Sequence, residues 1–263
     1  VIGVWASSNA IQWYPNDGAA PPSFSTSQEV TLNGGAPQDA TTADLDGDGD
    51  VDPVAALAAD DAVVWYENRV DQGNGFAAAD TIARVPHPDK VAVADVDGNG
   101  TLDVISASGG TSEDTDNRLA WHANEEGDGS RWTTLNISTA VSGNNSGQNI
   151  GLEVGDVDGD GAVDVITSSY LDGTVSWFDN TAGDGSDWTR SFITQDASGP
   201  TDVAPFDLDG DGDLDVLYSD YLESRVAWVE NTDGNGSFSS QHRLVTDDTP
   251  QPLSVTVADL NGD

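Results

Sequence analysis

"ADLDGDGDVDPV", residues 43 to 54, places Asp at 44, 46, 48, 50 and 52 with Gly47 and Gly49 between them. Like charges packed this closely repel, so the crowding requires a compensating partner. The arrangement returns as "ADVDGNGTLDVI" (94–105), "GDVDGDGAVDVI" (155–166) and "FDLDGDGDLDVL" (206–217), and a fifth time, cut short, as "ADLNGD" (258–263). Any explanation has to work at every copy.

The copies start at 44, 95, 156, 207 and 259, spaced 51, 61, 51 and 52 residues apart. A period of this size belongs to an array or a propeller, in which one supersecondary unit recurs. The rest of the unit recurs too. Trp65, Trp177 and Trp228 each follow the last Asp of a copy by thirteen residues, and Trp121 follows by eighteen, with "GGTSEDTDN" (109–117) supplying the extra length. An aromatic residue comes ten or eleven places after each Trp: Phe24, Phe76, Trp132, Trp188 and Phe238, after Trp13, Trp65, Trp121, Trp177 and Trp228.

Within the unit around residue 160, four short apolar or alternating segments are separated by turn residues: 150–156, 163–169, 174–180 and 188–194. Four strands per unit with no helical period define the blade of a β-propeller. The expected fold is all-β, one propeller domain over residues 1–263. Its repeat units are 252–263 with 1–32, then 39–83, 90–138, 150–194 and 201–245. Residue 1 is in phase with the end of an Asp-rich copy, and the chain stops inside another. This phase favours a closed five-bladed ring in which 252–263 supplies the first strand of the blade made by 1–32. Part of a seven-bladed ring is the alternative.

Acidic residues number 47 against 8 basic, a formal net charge of −39. Nucleic acid and anionic membranes are therefore poor partners. No eighteen-residue apolar run predicts membrane insertion. Eight Trp and acids that alternate with Val, Leu and Ile argue against a disordered acidic tail. With no Cys, disulfide and thiol chemistry are excluded. The opening residues, "VIGVWASS", show no initiator Met or basic stretch, so the chain is expected to follow processing or to be a piece of something longer.

Each complete copy reads D-x-D-G-[DN]-G-x-x-D. Side chains at the first, third and fifth places of a tight loop converge on one point, and glycines permit the backbone twists between them. A carbonyl at the seventh place and a carboxylate at the ninth complete an oxygen cage of the kind calcium takes. Loop length, flanking strands and the lack of a Glu at the twelfth place exclude an EF-hand. Without His or Cys nearby, zinc is poorly served.

The loops, the "DV[IL]" after three of them and the downstream "WYEN", "WFDN" and "WVEN" resemble the FG-GAP/VCBS repeats of calcium-loop β-propellers, such as integrin α-subunit heads and secreted lectins. The resemblance implies Ca2+ in four complete loops and a partial fifth. It puts the ligands on Asp44, Asp46, Asp48, Asp50 (carbonyl) and Asp52, then on Asp95, Asp97, Asn99, Thr101 (carbonyl) and Asp103. The third set is Asp156, Asp158, Asp160, Ala162 (carbonyl) and Asp164, and the fourth Asp207, Asp209, Asp211, Asp213 (carbonyl) and Asp215. The partial loop offers Asp259, Asn261 and Asp263.

No nucleophile elbow, Walker loop or shared His position stands out, so no catalytic residue is expected and the chain reads as a non-enzyme. His87, His122 and His242 are expected to be surface or strand residues, and the repeated Trp to pack blade against blade. Residues that break the repeat are the better ligand contacts: Tyr170 and Tyr221, on hairpins between second and third strands, and the loops 109–117 and 142–149. The expected function is extracellular recognition or cell adhesion, with glycan or protein as partner. A structural repeat of a larger or self-assembling protein, or a non-catalytic domain of a polysaccharide-processing enzyme, is the alternative.

Overall fold

The computed structural model describes residues 1–15, 23–24, 27–30, 35–109, 118–138, 151–247 and 250–258. They form antiparallel sheets that follow one another along the chain. The first sheet is β1 (Ile2–Trp5), β2 (Ala10–Trp13) and β3 (Gln28–Val30). The second is β4 (Pro37–Ala43), β5 (Asp52–Leu57), β6 (Ala62–Trp65) and β9 (Asp80–Arg84), with β7 (Asn68–Arg69) and β8 (Gly75–Phe76) as a small ribbon before β9. The third is β10 (Pro88–Ala94), β11 (Asp103–Ser108), β12 (Arg118–Asn124) and β13 (Trp132–Ser138). Then come β14 (Leu152–Gly155) to β17 (Thr189–Thr194), through β15 (Asp164–Ser169) and β16 (Thr174–Asp179). The last sheet is β18 (Pro200–Phe206), β19 (Asp215–Asp220), β20 (Arg225–Asn231) and β21 (Phe238–Thr246). Each sheet pairs its strands in sequence order, so every unit is a meander, as the spacing of apolar segments required.

Every residue of β5, β11, β15 and β19 is buried. A strand buried on both faces must lie between two other layers, and the apolar clusters show which. One joins Ile105, Leu119 and Trp121 to Leu152, Val165 and Phe178 of the next sheet. A second joins Ile166 and Trp177 to Val203, Val216 and Tyr218, and a third joins Val54 and Trp65 to Val91 and Val104. The core is thus a series of inter-sheet layers, the packing of propeller blades. The fourth strands are more exposed, β13 most plainly.

The repeated Trp residues do pack blade against blade. A Cβ added to Gly185 would lie 2.2 Å from the Trp121 ring, one on Gly129 would lie 2.4 Å from Trp65, and one on Gly236 would lie 2.1 Å from Trp177. Each Trp lies flat on a glycine in the next unit's connection between third and fourth strands. Only a residue without a side chain admits that approach, and φ of +72° at Gly185 adds a second reason for glycine.

One part of the expectation comes out differently, and others lie outside the described residues. Residues 250–258 carry no strand, so the first sheet has three strands among the described residues, and Asp259, Asn261 and Asp263 lie outside them. Yet Val255 N donates to Asp202 Oδ2 at 3.0 Å, as Val91 N donates to Asp39 Oδ2 at 3.1 Å in the neighbouring pair of first strands. Residues 254–256 also line, with β4, β10, β14 and β18, a cavity of about 400 Å³. The loop 142–149 and residues 110–117 likewise lie outside the described residues.

Gly185→Ala should lower stability by about 2 kcal/mol or more, from overpacking of Trp121 and a strained left-handed backbone. Denaturant unfolding would measure this, with exposed Ser186→Ala as the near-neutral control.

Candidate metal centre

The four complete loops join first to second strands: 44–51, 95–102, 156–163 and 207–214. Their glycines hold left-handed backbone, for example φ of +69° at Gly98 and +89° at Gly100. The turn lets the first carboxylate reach back across the loop. Gly49, Gly100, Gly161 and Gly212 donate their N–H to Oδ2 of Asp44, Asp95, Asp156 and Asp207, at 2.9 to 3.1 Å. The fifth-place side chain accepts from the amide of the seventh residue: Asp50 to Asp48, Thr101 to Asn99, Ala162 to Asp160, Asp213 to Asp211.

These bonds bring carboxylates together. One oxygen each from Asp44, Asp46 and Asp48 lies within 4.8 Å of the others, and the same holds for Asp95, Asp97 and Asp103, for Asp156, Asp158 and Asp164, and for Asp207, Asp209 and Asp215. Oδ1 of Asp44, Asp95 and Asp156 is buried and accepts no hydrogen bond. A buried carboxylate oxygen with no donor is costly. At three successive loops the same atom is left in this state, and a cation is the partner that removes the cost. The donor set is oxygen throughout, so the residues fit a hard divalent ion.

The ninth-place Asp does more than the sequence indicated. Asp52, Asp103, Asp164 and Asp215 are buried at the first position of a second strand. One oxygen of each accepts the amide of the loop's second residue: Leu45, Val96, Val157 and Leu208. The other accepts the amide of an Asn at the end of the third strand or just beyond it: Asn68, Asn124, Asn180 and Asn231. Burial pushes the Asp52 carboxyl up to about 7 and that of Asp164 up to about 6, against the pull of these backbone bonds. Asp103 and Asp215 are raised for the same reason.

Those Asn residues were absent from the sequence reading, although the "N" closing "WYEN", "WFDN" and "WVEN" was its signal. Asn124 Nδ2 donates to Leu45 O in the preceding unit's loop at 2.8 Å, and its Oδ1 accepts from Gly129 N at 3.1 Å. Asn180 repeats both bonds, with Val96 O at 2.8 Å and Gly185 N at 2.9 Å, and Asn231 Nδ2 reaches Val157 O at 2.9 Å. The loops at 44–51, 95–102 and 156–163 are therefore each fastened to the next blade. The acid before Asn was also missed. Glu67, Asp179 and Glu230 lie near Asp46, Asp158 and Asp209, whose carboxyls are raised first by burial and further by these neighbours.

Tyr170 and Tyr221 follow the second strands β15 and β19, at the end of the sheets away from the Asp loops. They meet edge to face, ring centroids 6.1 Å apart. Leu171 and Leu222 beside them are each 58% exposed. The histidines serve the sheets. His122 is fully buried between Ser106 Oγ at 2.8 Å and Thr134 Oγ1 at 2.9 Å, and burial lowers its pKa to about 3. His242 in β21 bonds Tyr218 and Thr194, and His87 sits at a turn with φ of +42°.

With four-stranded meanders stacked face to face and an Asp-rich loop at one end of each, the molecule is of the β-propeller class. Residues 156–218 match the FG-GAP-like repeat family, and that stretch carries the third and fourth Asp-rich loops. No curated protein sequence matches it. Among solved structures it is similar to an Agrocybe aegerita lectin that recognises non-reducing terminal N-acetylglucosamine, at 20% identity and a TM-score of 0.56, over 92% of this chain and 61% of the other. It is similar to a periplasmic gluconolactonase of Pseudomonas aeruginosa at 15% identity and a TM-score of 0.58, over 92% and 64%. The chain spans about three-fifths of the length of each, and at such identities the likeness concerns the fold. Among the described residues, no helix is long and apolar enough to cross a membrane.

Two outcomes follow from this geometry. Asn124→Ala strands the buried Leu45 carbonyl and Gly129 amide at a cost of about 1–3 kcal/mol each, so unfolding should move by more than that of a surface change such as Asn235→Ala. Second, carboxyls raised in the folded state bind protons there that the unfolded chain has released. In chelator, the melting temperature should therefore fall as pH rises from about 4 towards 7. With divalent cation present it should rise instead, because the ion competes with those protons.

Proposed function

We propose that the chain is a calcium-stabilised β-propeller, closed as a ring of five blades, that serves outside the cell as a non-catalytic recognition module for glycans or proteins. Calcium is favoured over magnesium because the loops carry their oxygens on a flexible glycine-bearing backbone, whereas magnesium demands a near-ideal octahedron and keeps its water. Loops of this kind fill where calcium is plentiful, which is outside the cell. Closure is supported by the Val255–Asp202 bond, which gives residues 254–256 the place beside β18 that β10 has beside β4. Val1 to Trp5 then pair as the second strand of the blade that this segment begins.

The observation carrying a recognition role is the ledge of exposed Leu171 and Leu222 with half-buried Tyr170 and Tyr221 beside them, repeated on adjacent hairpins. A β-turn needs no aromatic residue, and two in contact at the rim suit the apolar face of a sugar ring or a partner side chain. The ledge is framed by Asp172 and Glu223, which suit hydroxyl or cationic groups rather than anions.

A glycan array probed in calcium and again in chelator tests the reading. Binding should be calcium-dependent, and Tyr170→Ala with Tyr221→Ala should weaken it at least about tenfold, or 1.4 kcal/mol, with the melting temperature preserved. A blank array from folded, calcium-loaded protein moves the reading to a protein partner, and self-association without any ligand removes the recognition role.

A further inference from the structure

The four complete loops are not equivalent. In three units the residue two places after the third-strand Trp is acidic, Glu67, Asp179 and Glu230, and it stands by its own loop. In the unit 90–138 that residue is Ala123. The register confirms the equivalence, since Ala123 pairs with Thr133 as Asp179 pairs with Thr189. The fifth place of the same loop is the neutral Asn99 instead of Asp. The second loop thus brings two fewer carboxylates to its ion than each of the other three.

Where the absent acid would project there is a groove of about 280 Å³. Asp97 and Asn99 of the loop form one wall. Trp121 and Leu135, the latter 38% exposed, form an apolar one, and Asp184 of the next blade stands opposite with Glu125. Asp95 Oδ1 at this loop is buried and lacks a donor, so the loop shares with its neighbours the feature that calls for an ion.

We propose that the cation of the second loop is a ligand-bearing ion, open toward this groove, on which a neutral sugar completes the coordination with two adjacent hydroxyl oxygens. Calcium takes six to eight oxygens, and a set short of carboxylates leaves places for oxygens from elsewhere. Asp184 disfavours a carboxylate or phosphate ligand, and both it and Glu125, whose charge is offset by Arg131 at 3.4 Å, accept hydrogen bonds from hydroxyls. Trp121 and Leu135 receive the apolar face of the ring, and the volume, just below the about 300–1,000 Å³ of ligand pockets, suits one ring. The inference rests on the loops being calcium sites and is independent of the tyrosine ledge.

The test uses the full chain with terbium as the calcium probe, read by tryptophan-sensitised emission, with bound water counted from lifetimes in light and heavy water. The wild type should show a weaker binding phase that Ala123→Glu tightens about tenfold or more, since affinity follows ligand charge. Methyl α-mannopyranoside should displace water from the weak-phase ion of the wild type and not from that of Ala123→Glu. Should Ala123→Glu fail to fold, Asn99→Asp must tighten the same phase and Asp97→Ala must delete both that phase and the sugar response. A sugar that displaces no water, or displaces it equally from Ala123→Glu, overturns the inference while leaving the calcium sites standing. Terbium binding indifferent to both Asp97→Ala and Asp158→Ala overturns the calcium reading itself, and the inference with it.

Discussion

The structure depends on one buried group, the carboxylate that ends each Asp-rich loop. A charge at that depth is tolerated only if both oxygens are fully engaged. Asp103 shows how. It takes the amide of Val96 from its own loop and the amide of Asn124 from the end of the third strand. That pins three pieces of one blade to a point. Asn124 then spends its own side chain on the neighbouring blade, on Leu45 O and on Gly129 N. Gly129 is the glycine beneath Trp65. Metal loop, blade hairpin, inter-blade hydrogen bond and Trp packing are therefore one linked network, and it recurs from blade to blade. On the proposed reading an ion in these loops is a structural element: it would neutralise the cluster beside the buried Asp, and its removal would loosen contacts far from the carboxylates themselves.

Much of this was legible in the sequence because it repeats. A spacing of 51 residues, a Trp at fixed distance and paired glycines between acids each have a single physical use, and seeing them together fixed the meander and its order. The Trp residues were correctly assigned to blade packing, since a role needed in every unit explains a residue found in every unit. What repetition could not reveal was the division of labour inside the loop. Asp52 and Asp44 are both Asp in the same motif, but one is held by two backbone amides and the other keeps a bare oxygen. Only the position of the amides in space separates them.

The partners of the loops were harder to read for the same reason. Asn124, Asn180 and Asn231 are ordinary polar residues at the close of an apolar strand, and each has a partner in another unit, 79 residues away for Asn124 and Leu45. No local pattern carries that distance. The two tyrosines illustrate the opposite case. They were singled out because they depart from the repeat, and the fold brings them into contact because consecutive blades place equivalent hairpins side by side. A repeat protein thus writes its framework in what recurs and its individuality in what does not.

That distinction gives Ala123 its weight. Among otherwise parallel units, a site with two fewer carboxylates and a groove beside it is, on the proposed reading, under different demands from its neighbours. A purely structural ion is best served by the maximum of fixed ligands, as at the loops flanked by Glu67, Asp179 and Glu230. Removing a ligand weakens the ion's hold on the frame and frees coordination for something that arrives from solvent. On the proposed reading, the same chemistry that makes three loops rivets makes the remaining one a socket. The propeller can carry such a socket because the Asp103–Asn124 clamp holds that blade to its neighbour through protein atoms alone.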